Sequence, residues 1–306
     1  MNATTAGTAA VDLVERVVRE FVDDSSANSL GGAFREPALC NPLVGYANGA
    51  DPLFPALKES AGAGHWTPAE AFALCAGEEV APDELAVISW VLCQTQATKA
   101  DNRKQDLYPS ERWARARIFG QRGNVELHRI MIEKLAGAGI EALAPALMPQ
   151  FAVCRDAHSG VTSSWSERHV AYVCGLGTFG LSGGLITAGG KAMRLGSLVA
   201  KVRIPPTPRP YDSHTAYCLH YSLGTCGRCA KRCPVGSINA GGRDIRACDR
   251  HLQPTTRDFI KAEYGFDGYG CGLCQTGVPC ESRIPRQLDP ARRPAPAPAP
   301  DDAHGR

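Results

Sequence analysis

Thirteen cysteines stand in this chain of 306 residues, and eight of them crowd between Cys218 and Cys280. No other feature limits the C-terminal third so strongly, because clustered thiols bind metal, carry out redox chemistry or pair as disulfides. The start of the chain weighs against disulfides. Met1 to Ala10 has no basic n-region, apolar h-region or twin arginine, and acids follow at Asp12, Glu15 and Glu20. No apolar run approaches the roughly 18 to 20 residues of a membrane-spanning helix. A cytoplasmic protein with no membrane partner is expected, and a reducing compartment favours metal over disulfides. The formal charge of +2 gives no bulk electrostatic pull toward nucleic acid.

Spacing sharpens the metal reading. The first group runs Cys218, Cys226, Cys229, Cys233-Pro234, and the second runs Cys248, Cys271, Cys274, Cys280. A Cys-x2-Cys turn seats two thiolates on one cubane, whereas a later cysteine followed by proline commonly reaches the other cluster. Crossing the groups in this way predicts two [4Fe-4S] clusters. One takes Cys218, Cys226, Cys229 and Cys280; the other takes Cys233, Cys248, Cys271 and Cys274. A zinc ribbon built on the pairs 226/229 and 271/274 is the competing arrangement, but it leaves four cysteines idle. The remaining five, Cys40, Cys75, Cys93, Cys154 and Cys174, are expected as buried small hydrophobes.

Ahead of this region, Val11, Val14, Val17, Val18 and Phe21 repeat at helical spacing. The segment from Phe34 to Pro68 is rich in Pro and Gly and reads as loops with short elements. Thr67-Pro68 and Pro82 each open an expected helix, the second carrying Leu85, Ile88, Trp90 and Val91. Further helices are expected after the Ser110 cap, over Val125 to Leu135, and over Trp165 to Tyr172. Leu185 to Thr187 and Ser197 to Ile204 have strand character. Helices interleaved with short strands predict an α/β or α+β layered domain, possible in a nitroreductase-like form, over residues 1–210. The stiff Ile204–Pro210 connector would mark its end. A ferredoxin-like two-cluster module over 211–286 and a solvated Ala/Pro-rich tail over 287–306 would follow, with no core role for the tail from Leu288 onward.

The stretch Ser166-Glu167-Arg168-His169, followed by Gly175-Leu176-Gly177-Thr178-Phe179-Gly180 and Gly184-Leu185-Ile186-Thr187, leads directly into the cysteines. In this order it resembles the epoxyqueuosine reductase family and its reductive dehalogenase relatives, from about Trp165 to Pro285. The resemblance implies a reductase that binds cobalamin between an α/β domain and the cluster module. An external ferredoxin- or flavodoxin-type donor would supply electrons to reduce a small-molecule substrate. Arg168, Gly175, Gly177 and Gly180 are then the cofactor-binding candidates. The family's acidic proton donor, a few residues before Glu-Arg, has no counterpart at Val161 to Ser163. Glu167 and Tyr172 are taken as catalytic candidates in its place, with His158 and Tyr211 behind them. The family's C-terminal helical-repeat domain is also missing, so tRNA is not expected as a partner. An electron carrier or corrinoid activator without substrate chemistry is the alternative.

Three other features have plainer readings. Gly175, Gly177 and Gly180 have Rossmann-like spacing but follow a helix, so close backbone approach at a turn competes with a nucleotide site. Asp212-Ser213-His214 begins like a cobalt-histidine motif, but Tyr217 replaces its glycine, and His214 is not assigned as a ligand. Arg103, Lys104, Arg112, Arg115, Arg117 and Arg122 form either a salt-bridged solvated face or a contact for an anionic cofactor or substrate.

Overall fold

The apolar stripe of the first segment does form a helix, α1 (Ala3–Asp24), with Val14, Val17, Val18 and Phe21 buried against a sheet. The computed structural model describes residues 3–156 and 160–292; His158 and the tail beyond 292 lie outside them. The chain continues through β1 (Leu39–Asn48), α2 (Leu53–Ser60), α3 (Pro68–Ala76), β2 (Ala86–Gln94), α4 (Gln96–Arg103), α5 (Glu111–Gly137) and β3 (Ala142–Leu143). It then forms β4 (Val153–Asp156), β5 (Gly160–Ser163), α6 (Glu167–Val173), β6 (Gly177–Phe179), β7 (Leu185–Thr187) and β8 (Met193–Ala200).

The main sheet has the order β1-β2-β8-β3, and every pairing is antiparallel. The fold is therefore mixed α and β with small antiparallel sheets. The expected helix after Pro82 stops after a single 3-10 turn, Pro82–Glu84, and the chain enters β2. All nine residues of β2 are buried. Its side chains alternate between two cores: Ile88, Trp90 and Leu92 face α1 and α5, while Val87, Val91 and Cys93 face α2, α3 and α6. A strand covered on both faces shows a continuous apolar run, which periodicity cannot separate from a buried helix. The Pro/Gly-rich stretch likewise contains ten-residue β1, whose register shifts between Cys40 and Leu43 at Pro42.

The helix after Ser110 does not end before Val125. It runs unbroken as α5, with Gly120 and Gly123 lying against Leu39 and Phe21. At α3 the sequence rules hold in full: Thr67 and Glu70 form a reciprocal capping box, and Gly77 closes the helix in the left-handed conformation.

The cysteine-rich part has little regular structure. It comprises α7 (Leu219–Leu223), α8 (Arg228–Lys231), the short pair β9 (Ile238–Asn239) and β10 (Gly242–Arg243), α9 (Ile245–Arg250) and α10 (Arg257–Tyr264). A π-helical stretch, His251–Thr256, joins the last two helices around Pro254. This part packs firmly on what precedes it. Arg103 makes a bidentate ion pair with buried Glu281, Asn102 donates to the Cys271 carbonyl and to Thr276, and Lys191 donates its amide to the Cys280 carbonyl. Leu288, expected in the solvated tail, is instead buried with Ile284 and Tyr217 in a small core there, because an apolar side chain beside that cluster gains more from burial than from water. Among the described residues no helix is long and apolar enough to cross a membrane.

Candidate functional site

The eight clustered cysteines separate into two sets of four. Cys233, Cys248, Cys271 and Cys274 line a cavity of about 1000 Å³. Cys218, Cys226, Cys229 and Cys280 line a second, smaller void beside it. Electrostatic neighbours fall the same way: Cys280 feels Cys229, Cys218 and Cys226, while Cys271 feels Cys274, Cys248 and Cys233. The sets adjoin where Cys229 comes within reach of Cys274. The pairs that a zinc ribbon would join, 226/229 and 271/274, thus line different voids. Among the described residues, no three or more His, Cys, Asp or Glu side chains converge as for a single metal ion.

Local structure aims these thiols. Cys226 has φ +76°, a left-handed conformation costly for a side-chain-bearing residue. Gly272, at φ +68° inside Cys271-x2-Cys274, lies under the Trp113 indole, and a Cβ there would sit 1.9 Å from the ring. Donors also reach the sulfurs. The Ser237 amide donates to Cys233 Sγ at 3.3 Å, and Arg243 Nη2 donates to Cys248 Sγ at 2.9 Å. Burial would raise the Cys233 thiol, yet the Ser237 hydroxyl and nearby amides bring it below its usual value. At Cys271 and Cys280 burial dominates instead, pushing the first thiol to about 12 and the second to about 11. Four thiols around a shared void, with N–H donors on their sulfurs, are a donor set suited to a polynuclear cluster.

The larger cavity extends from the second cysteine set to the turn after α6. Arg168, His169, Phe179 and Gly180 form one wall, and Val161, His214 and His251 contribute elsewhere. Val161, at the level where a proton-donating acid was sought, presents only an apolar side chain. Arg168 donates to the Gly183 carbonyl at 2.7 Å; enclosure by the walls and then nearby Arg243 lower its pKa, although an arginine stays charged. Enclosure also drops His169 to about 4, helped by the charge of Arg168.

The cavity does not gather all the expected residues. Glu167 turns into the sheet side, where its Oε2 accepts from Ser197 Oγ at 2.6 Å and its Oε1 is buried without a partner. Burial pushes its carboxyl up to about 7 against that hydrogen bond. Tyr172 stacks on Tyr211, whose hydroxyl donates to the Tyr172 carbonyl, and neither ring lines the cavity. Gly175 and Gly177 also stay outside it. A Cβ on Gly177 would lie 2.2 Å from the Ile186 carbonyl oxygen in β7, so close backbone approach accounts for that glycine.

The basic stretch is mostly neutralised. Arg112 pairs with Glu36 and Asp101, Arg115 with Glu111, and Lys104 with Asp101. Of its cations only Arg117 lines the cavity. Arg194, Arg243 and Tyr269 join it there without any motif to announce them; only strand alternation in β8 could have pointed to Arg194. Of the five scattered cysteines, Cys93 and Cys174 are buried and Cys40 and Cys75 half-buried, but Cys154 is exposed, because the short β4–β5 ribbon pairs only with itself.

Two cysteine-lined voids, the larger also lined by Arg117, Arg168, Arg194 and Arg243, characterise the site, and comparison with known proteins adds a family likeness. The chain is similar to epoxyqueuosine reductases, and solved structures of epoxyqueuosine reductase and of reductive dehalogenases are among its neighbours. No family model matches it. It is 30% identical over 141 residues to the epoxyqueuosine reductase of Bacillus anthracis, covering 44% of this chain and 34% of that protein. The chain thus spans about a third of that relative's length. A solved epoxyqueuosine reductase with an epoxyqueuosine-modified tRNA-Tyr stem loop aligns over 94% of this chain and 70% of its own, with 18% identity and a TM-score of 0.46. A reductive dehalogenase in complex with 3-bromo-4-hydroxybenzoic acid aligns over 91% of this chain and 37% of its own, with 14% identity and a TM-score of 0.46. The expectation that tRNA is not a partner is corrected by these findings. The curated relatives are epoxyqueuosine reductases, and one solved neighbour carries a tRNA stem loop.

Proposed function

We propose that this chain is an iron–sulfur reductase that holds two [4Fe-4S] clusters and reduces a substrate at a corrinoid bound in the large cavity. The observation that carries the reading is the sorting of eight cysteines into two sets of four, one of them in the wall of that cavity. Cys218, Cys226, Cys229 and Cys280 would hold the outer cluster, and Cys233, Cys248, Cys271 and Cys274 the inner one. The exposure of Cys226 supports an outer set that would take electrons from a ferredoxin- or flavodoxin-type donor. The 1000 Å³ cavity is at the upper end of small-ligand pockets, a size in keeping with a large cofactor.

A corrinoid bound there would supply the reducing chemistry, and the chain would bind it, orient it and keep water out. Arg168 and Gly180 would contact the cofactor. Glu167, its carboxyl shielded and held by Ser197, would fix the start of α6 and so the position of Arg168. The corrected partner reading brings a modified nucleoside in tRNA into the substrate range, beside smaller molecules. A carrier without substrate chemistry is the second reading, and the size of the cavity weighs against it.

The test is anaerobic reconstitution of the full chain with iron, sulfide and hydroxocobalamin, read by iron analysis, optical spectra and EPR. About eight irons and one corrinoid per chain are expected. Eight irons without corrinoid would leave only the carrier, and four or fewer would remove the two-cluster assignment.

A further inference from the structure

We infer that Arg194 and Arg117, with Tyr269, form an oxyanion subsite in the cavity wall, made for a phosphate group. The inference deepens the proposed reading of the cavity by naming a ligand group that it takes. Arg194 is near the start of β8, and alternation along the strand turns it to the side of α5, where Arg117 stands. Its Nε is shielded from solvent and has no hydrogen-bond partner among the described residues. A shielded guanidinium without a counter-charge is costly, and proteins keep one where a ligand provides the charge.

The surroundings supply more donors. Arg117 Nη2 donates to the Tyr269 hydroxyl at 2.7 Å, and its guanidinium lies 4.7 Å from the centre of that ring. The Tyr269 oxygen therefore accepts from Arg117 and keeps its own hydrogen to donate. Asp249 is the one carboxylate among the residues lining the cavity. Arg168 and Arg243 are already committed to the Gly183 and Ser182 carbonyls and to Cys248. Two forked guanidiniums and a hydroxyl facing one space suit a tetrahedral, multiply accepting anion. A phosphate of this kind is present in the nucleotide tail of a corrinoid and in the backbone of a nucleic-acid substrate.

The experiment uses the reconstituted full chain and its Arg194→Met and Arg194→Lys variants. Binding of inorganic phosphate is measured by calorimetry, and binding of hydroxocobalamin, of cobinamide (which lacks the phosphate) and of an RNA stem loop by titration. Arg194→Met is expected to weaken phosphate at least about tenfold, with Arg194→Lys between it and the parent. Without phosphate, Arg194→Met should melt no lower than the parent, because it removes an unpaired charge. A preference for cobalamin over cobinamide that Arg194→Met erases would assign the phosphate to the cofactor. Equal corrinoid binding with weakened RNA binding would assign it to the substrate. Should Arg194→Met not fold, Arg194→Lys and Tyr269→Phe take its place, each expected to weaken phosphate. Phosphate binding that is absent from the parent, or unchanged in all folded variants, overturns the subsite. Loss of corrinoid and iron binding with phosphate binding intact would sink the proposed function and leave the subsite standing.

Discussion

Cys229 and Cys233 are four residues apart and line different voids, which makes them the sharpest pair for separating the two cysteine sets. Cys229→Ala and Cys233→Ala are each expected to lower iron from about eight to about four per chain, with different EPR signals lost. Loss of the same signal from both would refute the crossed assignment. Glu167 offers a second test. Its folded pKa, about 7, lies above its ordinary 4.5, so the proton is held more tightly in the fold. The stability it contributes is full below about pH 4.5 and is lost as pH rises through 7. Urea unfolding from pH 5 to 8 should show the parent losing stability relative to Glu167→Gln by up to about 3 kcal/mol; parallel curves would count against the buried, orphaned carboxyl. At this scale the cysteines were legible because proline and fixed spacing mark them. The inward turn of Glu167 was not, since a charged residue at a helix start ordinarily faces water.

Among the elements, the loop around Gly272 is the least tolerant. A methyl group there meets the Trp113 ring in a left-handed backbone, so Gly272→Ala should lower the melting temperature of the reconstituted protein and its iron content together. A change in neither would mean that the loop relaxes freely. Thr67→Ala provides a control remote from the cavity, expected to cost about 1 kcal/mol in urea unfolding with iron unchanged. Capping and amphipathic signals made α1 and α3 readable because they are local. β2 misled because its identity depends on being covered from both sides, and α5 because its internal glycines answer to Leu39 and Phe21, far away in sequence.

For the whole molecule, several polar contacts join the cysteine-rich part to the preceding layers, among them the ion pair of Arg103 with Glu281. Glu281 is buried and Arg103 partly exposed, so solvent screening moderates the pair. Arg103→Met is expected to cost roughly 1 to 3 kcal/mol, seen as earlier loss of cluster absorbance during melting. Coincident loss of cluster and helix signals at the parent's temperature would rule out that weakening. No local pattern could reveal this pair, because its members are 178 positions apart. The exposure of Cys226 has its own consequence, in air. The outer cluster would meet dioxygen first while the inner one stays behind protein, so aerobic decay of the reconstituted chain should run in two phases, each releasing about four irons.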